Sequence, residues 1–214
     1  MIIGIWDFAQ SKAIVKVCKG NHLDTMGIRG RIDLLFPEEM LFLVEKSRMC
    51  LIIPTSPAET PSGSPCSFEP ASVEECYQLM FDAGVSLSEY LVYAHIKSLG
   101  NILFRKGVIA HQHRSLATPS TPSSECHPSS VSDPDQLQSH IAYEVWTPKT
   151  NFARKSCPPP SFLLLIDTSS PSQRSHLEFL KKSTEIAAQQ GQVPIKIASV
   201  SEGVVEFFNH STSL

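Results

Sequence analysis

The chain reads as an α+β protein of two folded domains. A small winged-helix-like domain is expected over residues 1–114 and an α/β domain over 138–214, joined by a Ser/Pro-rich linker over 115–137. Three observations predict this. Residues 27–53 run from a glycine-punctuated turn through a strand and a helix into a second strand. Residues 115–136 are dominated by Ser, Thr and Pro, with almost no large apolar side chain, and cannot bury enough surface to offset their ordering entropy. Beyond them the apolar runs return with strand and helix periods, in the order β-β-α-β-β.

Within the first domain, Ile14, Val15 and Val17 mark a strand over 11–19, which pairs antiparallel with a second over Arg31–Phe36. Pro37 suits the first turn of a helix, where its missing N–H is not needed. Glu38 and Glu39 follow at the positive end of that helix, and Lys46 and Arg48 stand at its negative end. Met40, Leu41, Leu43 and Val44 form its apolar stripe, and Leu51–Ile53 is a short strand. Residues 54–70 read as a loop. Ser72 and Glu75 have capping-box spacing, opening a helix that carries Cys76, Leu79 and Met80 and stops at Gly84. A further helix from Ser88 to Leu99 is expected to bury Tyr90, Leu91, Ala94 and Ile96. Gly100 ends it, and residues 101–104 return as a strand.

In the second domain, Ile141–Trp146 is a strand, and Phe162–Ile166 is apolar enough to be buried on both faces. Residues 173–190 have helical period and Gly191 stops them. Ile195–Val200 and Val204–Phe208 are the last strands, turned by Glu202-Gly203.

Composition excludes several classes. The 42% hydrophobic content is ordinary for a globular protein, and a formal charge of −3 gives no global basic signature. Any nucleic-acid contact must therefore come from a local patch. No apolar run reaches the length of a membrane span. The first residues lack a basic segment and do not read as a signal peptide. The six cysteines (Cys18, Cys50, Cys66, Cys76, Cys126 and Cys157) form no CxxC pair and are expected to be reduced thiols. Cys76 falls on an apolar helix face, as a small core residue does. His111, His113, Cys126 and His127 fit no established zinc spacing, so neither metal nor other cofactor is expected. Ser175 and His176 have no acidic partner nearby that would make a triad.

One charge feature stands out. Between Glu89 and Glu125 there is no acid, while Lys97, Arg105, Lys106 and Arg114 occur there with His95, His111 and His113. Such a run can contact phosphates, or it can be a solvated helix end. Lys97, Arg105 and Lys106 are the first candidates for RNA contact, and Arg29 and Arg31 on the hairpin are a weaker pair. Lys149, Arg154 and Lys155 are a third group.

Several separated motifs carry a family resemblance in the right order. They are Gly27 to Glu45, the helix Tyr90-Leu-Val-Tyr-Ala-His-Ile-Lys-Ser-Leu-Gly100 with Phe104-Arg105, and Tyr143-Glu-Val-Trp-Thr-Pro. Pro158-Pro-Pro-Ser-Phe162, Pro194 to Val200 and Gly203 to Phe208 complete the set. Together they resemble the large non-catalytic "54" subunit of the eukaryotic tRNA-splicing endonuclease. The resemblance implies that the second domain is nuclease-like. Related catalytic subunits cut RNA with a Tyr as base, a His as acid and a Lys that stabilises the transition state. Here Trp146 stands where the Tyr would be, and indole has no ionisable hydroxyl. Residues 147–161 contain no His, and Lys196 lies inside a strand rather than before it, near Val193. The resemblance therefore implies no catalytic residues.

It further implies a nuclear, non-catalytic structural subunit of the complex that excises introns from precursor tRNA. Its partners would be the catalytic "2" subunit, the other endonuclease subunits and precursor tRNA, with no membrane. Homologous C-terminal domains pair through terminal strands, so Val204, Val205, Phe207 and Phe208 are the expected partner interface. Two alternatives stay open at this point. One is an active RNA endonuclease; the other is a stand-alone winged-helix nucleic-acid-binding protein.

Overall fold

A computed structural model describes residues 1–54, 68–110, 141–148, 150–167 and 193–210. The linker, the helix expected over 173–190, Lys149, Arg114, Ser175, His176 and the His111/His113/Cys126/His127 group lie outside the described residues. The chain divides into two units, Met1–Leu99 and Gly100–Leu214. Each has its own five-stranded mixed sheet. Among the described residues no helix is long and apolar enough to cross a membrane.

The first unit contains β1 (Ile2–Asp7), β2 (Lys12–Cys18), β3 (Leu34–Leu35), α1 (Pro37–Glu45), β4 (Met49–Pro54), β5 (Phe68–Pro70), α2 (Val73–Asp82) and α3 (Leu87–Ser98). The sheet order is β3-β2-β1-β4-β5. The central strand, β1, runs antiparallel to β2 and parallel to β4. Sequence reading gave β1 no strand, although Ile2, Gly4 and Trp6 alternate inward as a half-buried strand requires. It also made the second arm too long. Only Leu34 and Leu35 pair with β2, with an isolated bridge from Leu34 to Ile28. The winged-helix-like expectation counted helices and one returning strand. The observed unit has a five-stranded mixed sheet, in the order given above, with three α-helices among the described residues.

The helix boundaries follow their caps. Ser72 accepts the Glu75 N–H at 3.2 Å while Glu75 accepts the Ser72 N–H at 2.7 Å, so the expected capping box closes α2. Ser86 and Glu89 form a second box at the start of α3, with the same pair of distances. Gly84 and Gly100 end the two helices in the left-handed region. Cys76 is fully buried, as its place on the apolar face required. On α3 the buried residues are Tyr90, Val92, Tyr93 and Ile96. Leu91 and Ala94 are only half-buried, so the inward face is rotated from the one expected.

The second unit contains β6 (Ile102–Arg105), β7 (Ile141–Trp146), β8 (Phe162–Asp167), β9 (Ile195–Ser201) and β10 (Val204–His210). The order is β10-β9-β8-β7-β6, antiparallel except for β8 and β9. β8 is central and buried at five of six positions, which explains its continuous apolar run. Leu163, Leu165, Ile195 and Ile197 form one core cluster. The tight turn from β9 to β10 has Glu202 and Gly203 both at positive φ, the twist that a two-residue hairpin demands. The strand over 101–104 was expected to close the first domain. It pairs instead with β7, from Ile102 opposite Trp146 to Arg105 opposite Tyr143. The division therefore falls at Leu99/Gly100.

One buried acid organises the first unit. Glu39 accepts the Gly27 N–H at 2.7 Å and the Phe36 N–H at 3.0 Å, one on each carboxylate oxygen. It thereby caps α1 from inside and ties the preceding loop to it. Gly27 sits at φ +69, and a Cβ there would lie 2.4 Å from the Leu34 carbonyl oxygen, so only glycine fits. Burial pushes the Glu39 carboxyl up to about 7, with Glu38 beside it adding to the rise. The two N–H bonds and the Lys97 ammonium oppose this. The folded state thus holds the proton more tightly than an ordinary carboxyl at 4.5. Its contribution to stability is complete below that value and is lost as pH rises through the folded one. Unfolding free energy from urea titrations is expected to fall between about pH 5 and pH 7. Glu39→Gln is expected to flatten that slope and cost about 1–2 kcal/mol, because an amide nitrogen would face one of the two N–H groups. An unchanged slope would place the titration elsewhere.

Candidate functional site

Three places carry candidate functional side chains: the end of β7, the scattered cations and the last strand. Trp146 ends β7 and is only 2% exposed. Its indole N–H donates to the Pro158 carbonyl at 2.8 Å. Phe104 and Phe152 meet the indole near edge-on, with centroids 6.0 and 5.2 Å away. The Arg154 guanidinium lies 4.6 Å from the Phe104 centroid. Pro158-Pro-Pro160 thus closes the loop after β7 onto the indole, and the aromatic cluster fills the interior. The group can donate one hydrogen bond, already made, and has no basic atom with which to take a proton. Lys196, the nearest sequence substitute for a catalytic lysine, lies in β9 with its ammonium 4.5 Å from the Phe162 centroid. It is therefore a strand residue covering an aromatic face. Among the described residues no group of three or more His, Cys, Asp or Glu could hold a metal ion.

The candidate RNA-contacting residues fall in both units. Lys97 belongs to the first unit, whereas Arg105 and Lys106 belong to the second. The Lys97 ammonium donates to the Thr25 carbonyl at 3.0 Å. It also lies near enough to Glu39 to oppose that carboxyl's rise. Its first role is thus to tie the end of α3 to the loop before β3. Arg105 ends β6 and is half-buried. Lys106 follows it, and its charge lowers the Glu144 carboxyl, which burial raises more strongly. Arg29 is exposed and lies 3.8 Å from Asp33 and 4.0 Å from Asp24, while Arg31 is exposed beside it. Arg154 and Lys155 fall in a short 3-10 turn after β7.

β10 is an edge strand, paired with β9 on one side. Val204 is 61% exposed, Phe208 51% and Phe207 37%, while Val205 is half-buried. An apolar edge of this kind invites strand addition.

Sequence reading missed two constellations. Glu45, at the end of α1, accepts hydrogen bonds from the hydroxyls of both Tyr77 and Tyr90. Burial, then the bond to Glu45, raises the Tyr77 hydroxyl to about 12 and pushes Tyr90 up as well. Tyr93 packs edge-to-face on Phe42, with centroids 6.0 Å apart. The two tyrosines of the Tyr90–Gly100 motif are therefore pins between α3 and α1. The second is a cleft of about 420 Å³ in the first unit, lined in part by Phe42, Lys46, Arg48 and Lys97. Its residues come from segments far apart in sequence, and no linear motif announces them.

The architecture is that of a mixed α/β chain with two mixed sheets. Residues 1–53 match the family model described as tRNA-splicing endonuclease subunit sen54 N-term. This match supports the resemblance that the sequence motifs carry. No curated protein matches the chain.

The aromatic cluster makes a measurable prediction. Trp146→Ala is expected to destabilise the second unit by about 3–5 kcal/mol, as a large buried aromatic does. Trp146→Phe keeps most of the volume and loses the bond to Pro158, at about 1–2 kcal/mol. Urea unfolding of the two variants checks the order; equal, near-zero effects would mean that the indole is not a packing residue.

Proposed function

We propose that the chain is a non-catalytic, structural subunit of the tRNA-splicing endonuclease complex, acting in the nucleus. The match of residues 1–53 to the sen54 N-terminal family carries this reading. The second unit supports it. Where a nuclease relative would place a general base, Trp146 is buried, hydrogen-bonded and without a basic atom. The subunit would hold precursor tRNA while another chain cuts it at the two splice sites. Phosphate contacts would come from the exposed Arg31 and the half-buried Arg105, with Lys106 joining only if its buried ammonium turns outward. Lys97 would join them from the first unit, held in place by its bond to the Thr25 carbonyl.

The partner surface in this reading is β10. A strand of the catalytic "2" subunit would add to the free edge, with Phe208 and Val204 filling pockets on its side. Main-chain hydrogen bonds would give the affinity and the side chains the specificity.

Purified chain is expected to give no product from an intron-containing precursor tRNA. Affinity purification from its own cells is expected to recover the other endonuclease subunits. Deleting residues 204–214 should release the catalytic partner. Specific cleavage by the isolated chain, lost on Trp146→Ala, would overturn the non-catalytic assignment. Wild-type recovery of the partner after the deletion would overturn the interface.

A further inference from the structure

The cleft in the first unit has a composition that the proposed function does not use. It holds about 420 Å³ between the His22–Thr25 turn and the ends of α1 and α3. Its cations are Lys46, Arg48 and Lys97, with His22 beside them; among the described residues that line it, none is acidic. Glu39 stands behind Lys97 with both carboxylate oxygens engaged by backbone N–H groups. Asp24 is exposed on the same turn, 4.0 Å from Arg29.

Cations at helix ends often do no more than balance the dipole. Here α1 closes itself. The Arg48 N–H reaches the Leu43 carbonyl at 2.8 Å, and the Ser47 N–H reaches that of Val44 at 2.9 Å. Ser47 takes the left-handed conformation, at φ 53, that this closure needs. The terminal carbonyls are thus served by the backbone. The Lys46 ammonium lies 5.7 Å from the Phe42 centroid, over the ring. Arg48 is exposed, one residue beyond the left-handed turn that ends the helix.

The cleft also has an apolar side. Phe42 is half-buried at its wall, and Met26 and Leu43 are buried beneath. A bare phosphate needs neither a ring nor this much room. A phosphate joined to a flat heterocycle uses both: cations for the anion and the Phe42 face for the base. The exposed Lys46–Phe42 contact is worth only about 0.5–1 kcal/mol, so an entering base can displace it and leave the ammonium for the phosphate.

We propose that this cleft is a nucleotide site, which takes one unpaired nucleotide of an RNA strand. Its base lies on Phe42 and its phosphate among Lys46, Arg48 and Lys97. The choice of RNA over a free nucleotide rests on the function proposed above; the nucleotide chemistry rests on the cleft.

Isothermal titration of the full chain with uridine 5′-monophosphate, inorganic phosphate and a short oligouridine tests it. The monophosphate is expected to bind about tenfold more tightly than phosphate, the low end of base–aromatic stacking. Lys46→Ala with Arg48→Ala, both at exposed positions, should weaken it about tenfold or more. Phe42→Leu should bring it down to the level of phosphate. The oligonucleotide should bind more tightly than the monophosphate, with affinity falling as salt rises. Monophosphate and phosphate binding alike would overturn the base subsite. Absence of saturable binding, or indifference to the double variant, would reduce the cations to helix-end charges and overturn the site. An oligonucleotide that binds no more tightly than the monophosphate would overturn the RNA assignment. Recovery of the endonuclease subunits with the double variant separates the two readings. Wild-type recovery without nucleotide binding fails the cleft alone; lost recovery with the unmodified chain fails the proposed function.

Discussion

A single buried carboxylate sets the geometry of the first unit. Glu39 takes two backbone N–H groups from opposite sides, Gly27 from the incoming loop and Phe36 from the helix start. A backbone N–H buried without a partner costs about 1–3 kcal/mol, so two such groups dictate where the carboxyl must be. Burial in turn raises the carboxyl's proton affinity, and the Lys97 ammonium partly restores the charged form. Lys97 is itself held at the Thr25 carbonyl. Loop, α1 and α3 are therefore locked by one small polar network. The walls of the basic cleft come from the same three pieces.

The second lock joins α3 to α1 on another side. Tyr90 and Tyr77 both donate to Glu45, and Tyr93 meets Phe42 edge-on. Tyr90 is buried, as its place on the helix face predicts. The position of all three tyrosines shows a packing role: each ring supplies apolar area, and the Tyr77 and Tyr90 hydroxyls both reach carboxyl oxygens of Glu45. The same logic governs Trp146 in the second unit. An aromatic at the end of β7 fills space against Phe104 and Phe152 and spends its one polar atom on Pro158. A tyrosine used as a base needs its hydroxyl open to substrate, and the indole's enclosure is the opposite arrangement.

Local chemistry was legible from the sequence alone. The Ser72/Glu75 box, the left-handed stops at Gly84 and Gly100, the Glu202-Gly203 turn and the burial of β8 all follow from rules that act within a few residues. They depend on nearby hydrogen bonds and φ preferences, which tertiary context rarely overrides. The motifs of the first 53 residues also carried the family likeness that the family match supports. What tertiary structure decided is what lies across the sequence. It gave β6 to the second sheet, because a strand buries its ladder groups against whichever edge is near in space. It turned α3 so that Tyr93 rather than Leu91 faces inward, because Phe42 of α1 supplies the surface to pack against. It held Lys97 at the Thr25 carbonyl and buried the Lys106 ammonium, neither of which charge spacing alone reveals. And it gathered His22, Lys46, Arg48 and Lys97 into one cleft, since distance along the chain says nothing about the distance over which charges act.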